Sequence, residues 1–208
     1  MTASTIIDGQ IDDVVAKLRD ALRKHRPEIS FEAAQQVLGW EDLGMMLLEP
    51  FRQQVEMMSS LIVRRVKVDR TRSGRQVIYD PEGVQYVNQE IVDSMPCGEG
   101  DEVDSVFFKP LKWECTRSGY VSHDDLRKAY DRRNIIPDVY AVAKANEDNR
   151  VFTDNHPNIV YWKNTNGIWN FISFRRWRGR RRVTVRRHEG GWDDDWWFGG
   201  SRKISVER

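Results

Sequence analysis

Residues 174–203 read FRRWRGRRRVTVRRHEGGWDDDWWFGGSRK. Eight arginines fall between Arg175 and Arg187, interrupted by Trp177, Val183 and Val185. In an extended strand Val183 and Val185 share one face, so Thr184 and Arg186 point the other way. The apolar residues therefore read as a fixed framework and the residues between them as interchangeable. Three uses compete for such a stretch. A solvated arginine-rich strand pair neutralised by Asp193, Asp194 and Asp195 is the plainest, since exposed ion pairs contribute little. A nucleic-acid surface would use the guanidinium forks on phosphates and the interleaved aromatics on bases. A ligand- or protein-binding surface would use Trp and Arg as anchors.

Working outward, this end of the chain is chemically unlike the rest. Residues 151–208 carry a net +6 and residues 1–150 a net −5, so the overall +1 conceals a strong asymmetry. Six of the eight tryptophans, Trp162, Trp169, Trp177, Trp192, Trp196 and Trp197, lie in the basic part. Upstream of it, IVYW and IWNFISF read as strands, as do RRVTV and WWFGGSRKISV. NHPN is a turn. Ser122 with Asp125 caps a helix through Tyr130, and Pro137 opens another over DVYAVAKANED. VDSVFFKPLKWE reads as strand and LIVRRVKVDR, near 61–69, as a strand rich in β-branched residues. TRSGR reads as a turn, with Val77 to Tyr79 continuing as a partner strand. Asp80-Pro81 is expected to cap a helix over PEGVQYVNQEIVDSM.

The first 59 residues read as helical. Ile11, Val14, Val15, Leu18 and Leu22 mark one apolar face, and Pro27 ends it. Phe31, Ala34, Val37 and Leu38 mark a second helix ending at Gly39. A third carries Leu43, Met46 and Leu47, with Pro50 expected to break or kink it before Val55. These faces are expected to pack in a core or an oligomer. Helices, then a strand, two helices and several strands make an α+β chain. The expected domains are a helical region over 1–59 and a second domain over 60–208.

Composition excludes other classes. Hydrophobic residues are 39% and charged residues 31%, an ordinary globular balance. The longest apolar run, Leu43 to Leu48, is too short to cross a bilayer, so no membrane insertion is expected. The acidic MTASTIIDGQIDD start lacks the features of a secretion signal, which predicts a cytoplasmic protein, with surface display as the alternative. Cys97 and Cys115 are expected to be reduced structural thiols. His188-Glu189 has no visible nucleophile or third partner, so no enzyme activity is expected. WDDDWW lacks the glycine-marked spacing of a calcium loop, and no metal or cofactor is expected.

HPNIVYWKNTNGIWNFISF, RRVTVRR and WDDDWWFGGSRK together resemble the variable proteins of diversity-generating retroelements. The resemblance covers 60–203 in layout and is most specific over 151–203. It implies a C-type-lectin-like domain, of the formylglycine-generating-enzyme type, with a mixed antiparallel sheet and two or more helices. In that family a reverse transcriptase rewrites adenine-bearing codons near the gene's end, here a variable region over about 168–203. The implied scaffold is Phe174, Trp177, Arg181, Val183, Val185, Arg187, Trp192, Trp196, Trp197, Phe198, Arg202 and Lys203. The implied variable, ligand-binding positions are Asn170, Phe171, Arg175, Arg176, Arg178, Gly179, Arg182, Thr184, Arg186, His188, Gly190, Gly191, Asp193, Asp194 and Asp195. Asparagine codons altered at adenines yield Arg, Gly, Asp, His, Thr or Phe but not Trp, Lys, Glu or Met. Nearly every variable residue lies in that reachable set.

The family's sugar-binding Glu-Pro-Asn loop and disulfides have no counterpart here, and both cysteines lie before residue 116, unlike those of the oxidase members. The expected function is therefore non-catalytic binding of a protein ligand of anionic or mixed charge. A nucleic-acid-binding module using 174–197 is the alternative. The strand near 61–69 is expected to pair with the terminal WWFGGSRKISV strand.

Overall fold

The computed structural model describes residues 6–79, 84–116, 119–193 and 195–203. Contacts divide the chain into two units, Met1–Gln54 and Val55–Arg208. The division falls five residues before the expected boundary, inside a helix.

The first unit contains α1 (Asp8–Lys24), a 3-10 turn (Arg26–Glu28), α2 (Phe31–Leu38) and the start of α3 (Leu43–Ser59). Ser30 caps α2 by accepting the Ala33 N–H at 3.4 Å, and Gly39 closes it as the pattern predicts. α3 runs through Pro50. Proline's fixed φ is itself helical, and the bond it removes frees the carbonyl of Met46, which is exposed and can be met by water. Within α1, Ile11, Val15, Leu18 and Leu22 are exposed and Val14 is half-buried, so this apolar face is not in a core of the described residues.

The second unit is built on one sheet of seven strands: β1 (Ile62–Lys67), β2 (Val84–Val87), β3 (Glu102–Phe108), β4 (Asn158–Lys163), β5 (Trp169–Trp177), β6 (Arg180–Arg187) and β7 (Trp197–Lys203). Their order is β1-β3-β7-β4-β5-β6-β2, with β4–β7 and β2–β6 parallel and the other pairs antiparallel. The α+β class is as expected. The expected pairing of the 61–69 strand with the terminal strand is not: β3 lies between them, pairing Ile62 with Phe107 on one side and Phe108 with Phe198 on the other. SVFF is apolar on both faces and so takes an interior place. β1 carries Arg64, Arg65 and Lys67 and sits at the edge, where charge discourages further pairing.

Both faces of the sheet are covered. On one, α4 (Gly74–Tyr79), α5 (Gln89–Val92), α7 (Val139–Asp148) and α8 (Phe152–Asn155) cover a core containing Ile78, Phe107, Val142, Ile172, Phe174, Val183 and Val185. On the other, α6 (His123–Arg132) and the 190s loop cover Phe108, Leu126, Tyr161, Phe171, Trp192 and Phe198. α4 replaces the expected turn and partner strand. Its Ser73 Oγ accepts the Gln76 N–H at 3.4 Å while Gln76 Oε1 accepts the Ser73 N–H at 2.7 Å, a reciprocal cap that starts a helix. Of the expected helix from Asp80-Pro81 only the short α5, capped by Asn88, forms within the described part, because Val84–Val87 pairs with β6 as a strand. Residues 80–83, including that expected cap, lie outside the described residues.

α6 and α7 begin where the sequence predicts. Ser122 accepts the Asp125 N–H, and Asp138 accepts the Ala141 N–H at 3.1 Å. Arg70 donates two 2.8 Å bonds to the Asp138 carboxylate. The two glycines of WWFGGSRK mark a close approach. A Cβ on Gly200 would lie 2.2 Å from the Ile136 carbonyl oxygen, where the backbone of 136 bridges to Ser201.

Candidate binding surface on the terminal hairpin

β5 and β6 are joined by two residues, Arg178 and Gly179, both with positive φ (50° and 76°). That is the mirror-image turn whose twist suits a tight hairpin. The turn fixes the register: Phe171 faces Arg186, Ser173 faces Thr184, Arg175 faces Arg182 and Trp177 faces Arg180. By strand alternation these pairs share one face, and Ile172–Val185, Phe174–Val183 and Arg176–Arg181 share the other. Register thus places Arg175, Thr184 and Arg186 on one face of the sheet.

Beneath that face lies an aromatic floor. Trp192 is 6% exposed and meets Phe171, Tyr161 and Phe198 edge-on at 5.0, 5.9 and 5.9 Å. Its backbone pairs with Val121, tying the loop after β6 to the start of α6. The Arg175 guanidinium lies 4.9 Å from the Trp177 ring and 5.9 Å from Trp196, and that of Arg186 lies 5.8 Å from Phe171. On the opposite face Arg176 and Arg181 share Asp154, at 3.0 and 3.4 Å, and Arg187 meets Glu90 at 3.6 Å. Among the described residues the acids paired with these arginines are Asp154 and Glu90, and no ion pair joins them to Asp193 or Asp195.

The expected variable positions divide three ways. Arg176, Arg178, Gly179, Arg186, Gly190, Gly191, Asp193 and Asp195 are exposed, and Arg175, Arg182, Thr184 and His188 are half-buried. Asn170 and Phe171 are not surface residues: they are 0% and 7% exposed. Phe171 is part of the floor. Asn170 donates to the Ile168 carbonyl at 3.3 Å, inside the sheet. Asp194 lies outside the described residues. Arg176 is exposed but belongs to the helix-covered side. Of the expected scaffold, Phe174, Val183, Val185, Trp192 and Phe198 are buried, and Trp196 and Trp197 are half-buried. Trp177 corrects the expectation. At 46% exposure it is the last residue before the turn, beyond the reach of the covering helices. Arg202 donates to the Arg133 carbonyl at 2.9 Å.

Sequence reasoning missed three members of the floor. His123, Tyr161 and Trp169 stack with ring separations of 4.7–5.3 Å and near-parallel planes, and a hydrogen bond links the Tyr161 hydroxyl to His123 Nδ1. His188 lies on Trp192 at 4.0 Å and meets His123 edge-on at 5.7 Å. Each of these histidines is solitary in sequence, and only the fold brings them together. Burial holds both imidazoles below the ordinary histidine range. In the unfolded chain both recover their ordinary basicity, near pH 6.5, so the unfolded state takes up more protons as pH falls through that range. Stability is accordingly full above about pH 6.5 and is lost on acidification. The melting temperature should fall between pH 7.5 and 5.5, and His188→Gln should flatten that slope even if it lowers the plateau. An unchanged slope in circular-dichroism melts would contradict this.

Cys97 and Cys115 form no disulfide. Among the described residues no group of three or more His, Cys, Asp or Glu is placed to hold a metal ion, and no helix is long and apolar enough to cross a membrane. No family of known proteins, no curated protein and no solved structure matches the chain.

Proposed function

We propose that the chain is a non-catalytic ligand-binding protein whose β5–β6 face and following loop are exchanged by a diversity-generating retroelement on a C-type-lectin-like scaffold. The observation that carries this reading is the separation of roles along one hairpin. Arg175, Arg182, Thr184 and Arg186 share an accessible face, while Trp192, Phe171 and Phe198 form the floor beneath it. Substitutions at accessible positions cost roughly 0.5 kcal/mol each, so ligand identity can change while the fold persists. The exchangeable set is smaller than the sequence implies, because Phe171 is part of the floor and Asn170 is buried within the sheet. The surface is rich in guanidinium, with exposed Asp193 and Asp195 on the loop that follows. It suits a protein ligand of anionic or mixed charge.

The test is genomic. A neighbouring reverse-transcriptase gene is expected, with a non-coding near-copy differing from codons 175–195 almost only at adenines. A locus without either refutes the diversification.

One observation favours the nucleic-acid alternative: Trp177 stands exposed at the hairpin tip between Arg175, Arg176, Arg178 and Arg180, as a base-stacking residue would. Tight, sequence-independent DNA or RNA binding that weakens steeply with salt would favour it over the first reading.

A further inference from the structure

On the helix-covered side of the same sheet, α7, the segment after it and β6 enclose a cavity of about 280 Å³. Arg150 and Arg181 line it, and Arg175 and Arg182 border it where β6 runs past the end of β2. Arg150 and Arg181 belong to the helix-covered side, whereas Arg175 and Arg182 reach the cavity from strand positions that alternate to the other face. The lining contains one acid, Glu147, and that is engaged by Arg72 at 3.1 Å. Asp154 serves Arg176 and Arg181 together. Arg150 and Arg182 have no carboxylate partner among the described residues. A basic lining whose one acid is already paired, with Arg150 exposed at its rim and Arg181 half-buried, suits an anion.

We infer that this cavity binds the phosphate group of a small molecule, as free phosphate or a phosphomonoester. Guanidinium forks match phosphate oxygens in pairs, and donors arriving from α7's end and from β6 suit a tetrahedral group better than a planar carboxylate. Thr153, also in the lining, adds a hydroxyl. The volume lies at the small end of ligand pockets, which fits a phosphorylated small molecule and not a polymer. Arg150 and Arg181 lie outside the exchangeable set, so the site stands whether or not the hairpin is diversified.

The experiment is calorimetric titration of the full chain with inorganic phosphate and with glycerol phosphate, at ionic strength held constant with chloride, alongside thermal melts. Saturating phosphate should raise the melting temperature by about 3 °C or more. Equal affinity for both probes identifies free phosphate as the ligand; tighter binding of the ester identifies a phosphomonoester. Arg150→Gln and Arg181→Gln should each weaken binding about tenfold or more, while Arg186→Gln, on the other face, leaves it unchanged. The proposal fails if phosphate acts no differently from chloride, or if Arg150→Gln and Arg181→Gln bind as the parent does. Binding confined to long oligonucleotides, and abolished by Arg186→Gln, would also overturn it.

Discussion

Glu114→Ala should destabilise the second unit by about 3–5 kcal/mol, the cost of leaving a buried charge without its partner. Glu114 and Arg133 are both fully buried side chains joined by two parallel bonds of 2.6 and 2.7 Å. Arg132 adds a second guanidinium at 2.6 Å, and the Leu111 N–H donates at 2.9 Å. Burial pushes the Glu114 carboxyl up, but the Arg133, Leu111 and Arg132 donors outweigh it and hold the group below the usual range. Removing the carboxylate leaves Arg133 in the core, 4.5 Å from the Phe108 ring, with the Ala129 carbonyl as its remaining acceptor among the described residues. The pair itself is a different matter. Replacing both residues by apolar ones of similar volume, Glu114→Leu with Arg133→Met, should recover most of the loss, since such exchanges are often neutral. Urea unfolding measures both. A single-variant loss below about 1 kcal/mol would show that the carboxylate does not hold Arg133 in place.

Trp192→Ala should cost about 3–5 kcal/mol, whereas the triple variant Arg175→Ser, Arg178→Ser and Arg186→Ser should cost under about 2 kcal/mol in total. Trp192 is the hub of the floor, touching Phe171, His188, Tyr161, Trp196 and Phe198. Its removal opens a cavity that rings held from three strands cannot close. The arginines lose only ring contacts at 4.9–5.9 Å, worth about 0.5–1 kcal/mol each at exposed sites. If the triple variant unfolds as readily as Trp192→Ala, the hairpin's outward side chains are structural, and exchange at those positions is not tolerated. Parallel denaturation curves on the two proteins decide it.

Much of the second unit was legible because its signals are local. The cap of α6 is written as Ser122 with Asp125, Pro137 announces α7 just ahead of its cap Asp138, and alternation marks β4 to β7. The failures are of two kinds. In TRSGRQVIY the reciprocal Ser73–Gln76 cap is hidden in a stretch that also reads as a turn, and VQYVNQEIV fits either period, so the pairing of Val84–Val87 with β6 decides its form. Strand neighbours are non-local: nothing in LIVRRVKV reveals that β3 will separate it from β7. The surface followed the same division. Alternation placed Thr184 opposite in sense to Val183 and Val185, but a codon's capacity to change carries no information about burial, which is why Asn170 and Phe171 were misplaced. The stack of His123, Tyr161 and Trp169 had no sequence signal, since its members come from separate elements.

The two-residue link at Arg178 and Gly179 sets the kind of recognition this region can perform. A residue at 178 must adopt a left-handed backbone, which costs most side chains about 1 kcal/mol and suits Gly, Asn and Asp best. Chain length at the tip is fixed as well, because one added residue would shift the cross-strand partners and turn the outward groups inward. Under the proposed binding role a partner would meet a strip of constant outline and reach, with only its relief and charge differing between versions of the protein. Flat or gently concave targets fit such a strip. Deep clefts, which demand a finger of adjustable length, do not.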